Sequence, residues 1–123
     1  MRLHEFEAKQ LFARQGIVVP RGTVTALPEE ASDIAAAMDA VTVIKAQVLA
    51  GGRGKAGGIK LADNEAEVRE HAGNILGMDI KGHVVRRLWV EAASDIDEEY
   101  YVSFTLDRSE KKHLMMLSRE GGV

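Results

Sequence analysis

A glycine-rich and positively charged segment is the part of this sequence best suited to chemistry. Residues 45–58 read KAQVLAGGRGKAGG, and five of the twelve glycines in the chain lie in its last eight positions. Glycine allows positive φ angles and lets backbone N–H groups approach an anion closely. Lys45, Arg53 and Lys55 add three cations, and charge-assisted hydrogen bonds to phosphate are among the stronger ones in proteins. The segment predicts a polyphosphate-binding loop, with a long hairpin carrying solvated charges as the alternative.

The setting of this loop excludes two common phosphate motifs. A Walker loop needs a hydroxyl residue after its lysine, and Lys55 is followed by Ala56. A dinucleotide fingerprint needs a helix after its last glycine, whereas 59–62 has the pattern of a strand. A glycine loop between two strands is typical of a flap that closes over phosphates. We expect residues 49–58 to be mobile without ligand, because nothing apolar after Leu49 anchors them.

A second candidate segment is acidic. Residues 89–100 read WVEAASDIDEEY, so that a predicted strand ends at Glu91 and a carboxylate-rich loop follows. Carboxylates can accept hydrogen bonds from ribose hydroxyls, and the backbone at a strand end can read the edge of adenine. The alternative is that these acids are solvated loop charges. A calcium loop of the EF-hand type is excluded, because the glycine at its sixth position is absent.

Hydrophobic periodicity and turn residues divide the chain into helices and strands. Pro28 suits the first turn of a helix, Asp63 or Asn64 can cap another, and Gly77 can end it. This order, with an antiparallel end, predicts an α+β fold in which a mixed or antiparallel sheet carries helices packed on one face. The predicted helices are 3–15, 28–38 and 65–76; the predicted strands are 17–25, 41–45, 59–62, 84–90, 100–106 and 113–117, the last two joined by a turn at 107–110.

Length and composition limit the classes to which the chain can belong. Its 123 residues are enough for one domain, or for one lobe of a larger one. Sixteen Lys and Arg against nineteen Asp and Glu give a net charge of -3, which disfavours a duplex nucleic-acid binder. The lack of cysteine excludes disulfides, thiolate zinc sites and cysteine nucleophiles. No apolar run could span a bilayer and no secretory leader is visible, so we expect a cytoplasmic protein with no membrane partner.

Five segments of the chain, taken together, resemble the β subunit of succinyl-CoA synthetase, the ADP- or GDP-forming succinate–CoA ligase. They occur in the order of that family and extend over essentially the whole chain. The resemblance implies an ATP-grasp fold, in which residues 1–123 are the N-terminal part of a nucleotide-binding domain in a longer chain. The five segments are LHEFEAKQLFARQG at 3–16, KAQV at 45–48, GGRGKAGG at 51–58, VEA at 90–92 and EGGV at 120–123.

The resemblance also implies which residues contact the nucleotide. The family's phosphate lysine corresponds to Lys45, and its adenine and hinge contacts fall near Glu91 and Ser94. Ser94 is a mild departure, since threonine also occurs at this position in the family. No catalytic residue and no metal ligand is expected in this segment, because the family's magnesium-binding asparagine and aspartate lie beyond residue 123. The backbone contacts to phosphate and the ribose carboxylate fall on Gly52, Arg53, Gly54 and Glu99.

The reaction implied by the resemblance belongs to the citric acid cycle. Succinate, CoA and ATP or GTP with Mg²⁺ give succinyl-CoA, the nucleoside diphosphate and phosphate, reversibly. An α subunit is the implied partner and carries the phosphorylated histidine, so this segment alone is expected to be inactive. The chain's own histidines are therefore not expected to be catalytic; they are His4, His71, His83 and His113.

Two other functions stay open at this stage. Another acyl-CoA ligase, such as malate–CoA ligase or the citrate-cleaving lyase, would use the same lobe, because acid specificity lies outside this segment. A non-enzymatic nucleotide-binding module would need no further catalytic part. A downstream reading frame with the missing carboxylate and carboxamide would discriminate against the second possibility.

Overall fold

Three helices and eight strands make up the part of the chain that the structure, a computed structural model, describes, residues 1–121. The last two residues of the EGGV match, Gly122 and Val123, lie outside the described residues. Within 1–121, no helix combines the length and the apolar character needed to cross a membrane. The helices are α1 (Glu5–Arg14), α2 (Pro28–Met38) and α3 (Glu65–Ile75); the strands are β1 (Gly22–Thr25), β2 (Thr42–Ala46), β3 (Ile59–Ala62), β4 (Asp79–Ile80), β5 (His83–Val84), β6 (Leu88–Ala92), β7 (Tyr101–Asp107) and β8 (Lys112–Ser118).

The helices begin where the sequence supplies groups for their unpaired backbone. At the start of α1 the His4 N–H donates to Glu7 Oε2 at 2.7 Å, as in a capping box. At the start of α3 the Glu67 N–H donates to Asn64 Oδ1 at 2.9 Å. After α2, Asp39 takes up the left-handed conformation with φ 48°, which ends the helix. The three predicted helices are confirmed, with ends shifted by no more than two residues.

Four strands form one sheet in the order β1-β6-β2-β3, and every neighbouring pair is antiparallel. Lys45 on β2 lies opposite Trp89 on β6 and opposite Ile59 on β3. Glu91 lies opposite Gly22 on one side and Val43 on the other. Because directly opposed residues share a face of the sheet, Lys45, Trp89 and Glu91 project from the same face.

The two faces of the sheet are covered by different helices. α2 and α3 pack against one face and enclose a core that includes Ile44, Leu88 and Val90, all fully buried. α1 lies over the opposite face, where the Phe6 ring stacks on Trp89 with 6.4 Å between ring centroids. The predicted α+β class with an antiparallel sheet is confirmed, but the helices lie on both faces and not on one, because α1 covers the face carrying the charged side chains.

A small hairpin, β4–β5, was not predicted. The sequence pattern indicated one strand over 84–90, but this stretch is divided between the end of β5 and the start of β6. The turn of the hairpin is Lys81-Gly82, with φ 52° and 82°, the conformation of a tight turn that suits strand twist. Asp79 Oδ1 accepts a hydrogen bond from the Gly82 N–H at 2.8 Å and supports this turn.

The predicted hairpin near the end of the chain is confirmed as β7–β8. It forms a two-stranded sheet of its own, in register from Tyr101 opposite Ser118 to Asp107 opposite Lys112. One of its faces, the apolar hairpin face, carries large side chains that are 50–70% exposed. The apolar hairpin face consists of Val102, Phe104, Leu106, Met115 and Leu117.

Candidate functional site

The glycine-rich loop joins β2 to β3 and is closed at its base by backbone hydrogen bonds. The Ala46 N–H donates to the Gly58 carbonyl at 2.7 Å, and the Gly58 N–H donates to the Arg53 carbonyl at 2.8 Å. Gly52 and Gly57 have φ of 79° and 82°, which glycine adopts without strain. These bonds fix the base of the loop, while the mobility expected for residues 49–58 stays a prediction.

The tip of this loop has unused hydrogen-bond donors. Within residues 1–121, the backbone N–H groups of 49–55 donate to no acceptor. They lie beside a cavity of about 640 Å³, whose lining includes Glu5, Val48, Arg53, Ile59 and the glycines between 51 and 54. A run of unpaired N–H groups on a glycine-rich backbone is a suitable environment for an anion. The loop can therefore bind phosphate chiefly through its backbone.

Lys45 lies at the start of the loop and is held between two carboxylates. Its Nζ is 3.0 Å from Glu5 Oε1 and 2.5 Å from Glu91 Oε1. Burial acts to lower the pKa of Lys45, but the hydrogen bond to Glu91 and the charge of Glu5 outweigh it and raise the pKa. Lys45 is therefore a charged ammonium beside the loop, whose present partners are protein carboxylates.

Glu91 is a buried carboxylate with three partners. Its side chain is 6% exposed, and one oxygen accepts a hydrogen bond from Trp89 Nε1 at 2.6 Å. Lys9 and Lys45 both form ion pairs with it. Burial acts to raise the pKa of Glu91, but its bonds to Lys45, Lys9 and Trp89 outweigh it and lower the pKa. A contact from this carboxylate to a nucleotide would have to replace one of these partners.

Arg53 points its side chain away from the loop tip and back towards the sheet. Its Nη1 donates to the Ala46 carbonyl at 2.8 Å, and its Nη2 lies 2.5 Å from Glu5 Oε2. The guanidinium is thus used to hold the loop, whereas the backbone N–H groups of residues 52–54 have no acceptor within residues 1–121. Contact of Gly52, Arg53 and Gly54 with phosphate through the backbone stays a prediction.

The other two predicted contacts lie apart from this charged group. Ser94 and Glu99 are exposed, in the segment between β6 and β7 that contains no helix or strand. Within residues 1–121, neither side chain makes a hydrogen bond or an ion pair. Their assignment to the adenine, the hinge and the ribose stays a prediction.

Residues 2–123 match the family model of the ATP-grasp domain. The chain belongs to the ATP-grasp family. The family match confirms the fold implied by the sequence motifs. The loop between β2 and β3 is therefore part of an ATP-grasp lobe. The antiparallel sheet and the helices agree with this assignment.

Curated relatives of this ATP-grasp chain are β subunits of succinate–CoA ligases. The chain is 52% identical to the ADP-forming subunit of Halobacterium salinarum and 54% identical to the GDP-forming subunit of Thermus thermophilus. Both matches cover 100% of this chain and 32% of the relative. The chain thus spans about a third of the length of these relatives.

Solved structures support the ATP-grasp fold at lower sequence identity. An ATP citrate lyase from Methanothrix soehngenii has a TM-score of 0.76 and 22% identity over 99% of this chain and 32% of that one. A phosphoribosylamine–glycine ligase from Thermotoga maritima has a TM-score of 0.69 and 20% identity over 93% of this chain and 27% of that one. These likenesses show the fold.

The ATP-grasp lobe described here is not built to bind a metal with its own carboxylates. Within residues 1–121 there is no group of three His, Asp or Glu side chains placed to hold a metal ion. The acids beside the loop, Glu5 and Glu91, are paired with Lys9, Lys45 and Arg53, so their charge is already compensated. These two paired acids therefore do not fit a Mg²⁺ site.

Sequence reasoning missed three charged residues near the loop. Glu5 and Lys9 lie four positions apart on one helix, a spacing typical of a surface pair, and their partners Lys45 and Glu91 are 40 and 82 positions away. Lys81, in the β4–β5 turn, has its Nζ 3.3 Å from the point that a Cβ would occupy on Gly52. The LHEFEAK motif contains Glu5 and Lys9, but the resemblance gave no role to either charged residue.

Proposed function

We propose that this chain is the N-terminal part of the nucleotide-binding domain of a succinate–CoA ligase β subunit. The main support is the loop at 49–55, where unpaired backbone N–H groups lie beside a cavity, shortly after Lys45 in the chain, within an ATP-grasp fold. The identity of 52–54% to succinate–CoA ligase β subunits favours this enzyme among ATP-grasp proteins.

In this proposal the chain's own residues position and neutralise the nucleotide. The backbone of Gly52, Arg53 and Gly54 donates to phosphate oxygens, and the Lys45 ammonium attracts the same negative charge. Glu91, Ser94 and Glu99 orient the base and the sugar. Positioning and charge stabilisation are most of what a protein contributes to phosphoryl transfer. Mg²⁺, whose ligands belong to residues beyond 123, would compensate further phosphate charge.

The proposed enzyme needs parts that this chain does not contain. An α subunit would supply the phosphorylated histidine, and the remaining two thirds of the β subunit would supply the metal ligands and the sites for succinate and CoA. The exposed apolar hairpin face supports a longer folding unit that covers β7–β8.

Adding α subunit, nucleotide, Mg²⁺, succinate and CoA to the 123-residue chain should yield no succinyl-CoA. Measurable turnover would overturn this division of the chemistry.

Nucleotide binding by the full-length enzyme tests the roles assigned to the lobe. Lys45→Ala should weaken the binding of di- and triphosphates far more than that of adenosine, by about tenfold to a hundredfold for one charged hydrogen bond. Glu99→Ala should weaken all of them similarly, because the ribose is common to all. Lys60→Ala is the matched control, an exposed lysine on the neighbouring strand β3. Equal triphosphate affinity in Lys45→Ala and wild type would contradict the phosphate role of Lys45 and leave Lys55 as the candidate cation.

The acid substrate is not determined by the residues of this lobe, because acid specificity lies outside it. Malate–CoA ligase or a citrate-cleaving lyase would use the same lobe, and the likeness to the ATP citrate lyase rests on 22% identity. Turnover by the full-length enzyme with succinate, malate and citrate in parallel separates these functions. Nucleotide binding without turnover of any acid would favour a non-enzymatic module.

A further inference from the structure

We infer that Glu5 is a positioning residue for the phosphate loop and that it acts through Arg53. This inference rests on the proposed function, since it assumes that the loop binds a nucleoside triphosphate. Glu5 lies in the first turn of α1, far from the loop in sequence, and no nucleotide contact is assigned to it.

The carboxylate of Glu5 connects three structural elements. Oε1 is 2.9 Å from Lys9 Nζ on its own helix and 3.0 Å from Lys45 Nζ on β2. Oε2 is 2.5 Å from Arg53 Nη2 in the glycine-rich loop. The side chains of Glu5, Lys45 and Arg53 are only 18–21% exposed, so solvent screens these pairs less than it screens ordinary surface pairs.

Through Arg53, the carboxylate controls where the loop tip lies. The guanidinium is anchored by Glu5 and by the Ala46 carbonyl, and the Arg53 carbonyl accepts from the Gly58 N–H. Arg53 is therefore fixed through both its side chain and its backbone. Its neighbours Gly52 and Gly54 have the flexible backbone that would otherwise allow many conformations. Fixing the residue between them holds the segment with the unpaired N–H groups along the cavity before ligand binds.

Glu5 does not cancel the attraction of the site for an anion. Three cations, Lys9, Lys45 and Arg53, surround two carboxylates, Glu5 and Glu91, which leaves a formal charge of 3 - 2 = +1. Lys45 also keeps Glu91 as a partner when Glu5 is neutral. The main loss on removing the charge of Glu5 is thus the anchoring of Arg53.

The test uses the full-length enzyme and measures dissociation constants for ATP and for adenosine by calorimetry. Glu5→Gln keeps the shape of the side chain and removes its charge. We expect ATP binding to weaken about tenfold, because the ion pair that anchors Arg53 is lost, while adenosine binding is unchanged. Glu7→Gln is the matched control, because it lies two positions along the same turn and pairs with His4 instead of the loop. This control should bind both ligands as wild type does.

A second variant breaks the same ion pair from the loop side. Arg53→Gln should weaken ATP binding as Glu5→Gln does, and the double variant should bind ATP no more weakly than Arg53→Gln alone. Additive losses would overturn the inference, as would an equal loss for ATP and adenosine, which indicates a general structural defect. Unchanged or tighter ATP binding in Glu5→Gln would also overturn it. If wild-type enzyme binds neither ATP nor GTP, the proposed function fails and the inference with it. If wild type binds one of them and Glu5→Gln binds it equally well, only the inference fails.

Discussion

At the scale of single residues, the site is held by charged side chains that are shielded from water. Glu5 and Glu91 are the two acids of this group, and both have lowered pKa values. For Glu5, burial alone would raise the pKa, but the hydrogen bond to Lys9 and the charges of Lys45 and Arg53 outweigh it and lower the pKa to about 2. A carboxylate stabilised in this way makes the free energy of unfolding depend on pH.

We expect the stability of the chain to fall as the pH is lowered from about 4.5 to about 2. In the unfolded chain Glu5 titrates near its ordinary value of 4.5, whereas in the folded chain its pKa is about 2. The stabilisation is therefore fully present above pH 4.5, and at neutral pH it contributes about 3 kcal/mol to the free energy of unfolding. It is lost as the pH falls further, because the unfolded chain binds the proton before the folded chain does. Urea unfolding followed by circular dichroism between pH 7 and pH 2 measures it.

Two neutralised acids test this prediction, one inside the charged group and one outside it as the matched control. Glu5→Gln should flatten the dependence of the unfolding free energy on pH below 4.5. Glu29→Gln removes an exposed acid of α2 that is outside the charged group and should leave the dependence unchanged. Identical curves for wild type and Glu5→Gln would show that the ion pairs of Glu5 do not contribute to folding.

At the scale of elements, Gly58 determines how the loop closes against the sheet. A Cβ on Gly58 would lie 2.7 Å from Ile80 Cδ1, 3.1 Å from Ala46 Cβ and 3.2 Å from the Arg53 carbonyl. Gly58→Ala should therefore lower the free energy of unfolding by about 1–3 kcal/mol, the usual cost of overpacking, and weaken triphosphate binding. Gly51→Ala is the control, since nothing lies within 4 Å of its added Cβ. Equal stability in the two variants, measured by urea unfolding, would contradict this account of the loop.

The sequence predicted the local elements better than their arrangement. Pro28 and Asn64 mark helix starts through local chemistry, and both helices begin at the predicted residues. The Lys81-Gly82 turn was missed because a lysine at positive φ gives a weaker signal than asparagine or aspartate would. The resemblance predicted that Lys45 belongs to the site. No local pattern could predict that Glu5 reaches it, because that contact depends on how α1 packs across the sheet.

At the scale of the whole molecule, the hairpin β7–β8 is the part of the fold that most needs further contacts for its stability. A two-stranded hairpin is marginally stable by itself, and its apolar residues cannot be buried against each other across a single layer. Phe104 is 70% exposed and Leu117 is 64% exposed, and both lie on the apolar hairpin face. Contiguous apolar surface of this kind usually marks a contact with another part of the protein or with a partner. Since the curated relatives are about three times as long, we expect the remaining part of such a chain to cover it.

This expectation predicts opposite effects of one double substitution in the short and the long chain. In the 123-residue chain, Phe104→Lys with Leu117→Lys should reduce aggregation and the binding of a hydrophobic dye, with little change in the free energy of unfolding. In the full-length protein the same pair should destabilise by several kcal/mol, because it would bury two charges without partners. Leu61→Lys is the control, an equally exposed site on β3 at 62%, outside the hairpin. If the full-length protein tolerates the double substitution as well as it tolerates Leu61→Lys, the apolar hairpin face stays exposed in the longer chain, and its apolar character must serve a separate partner.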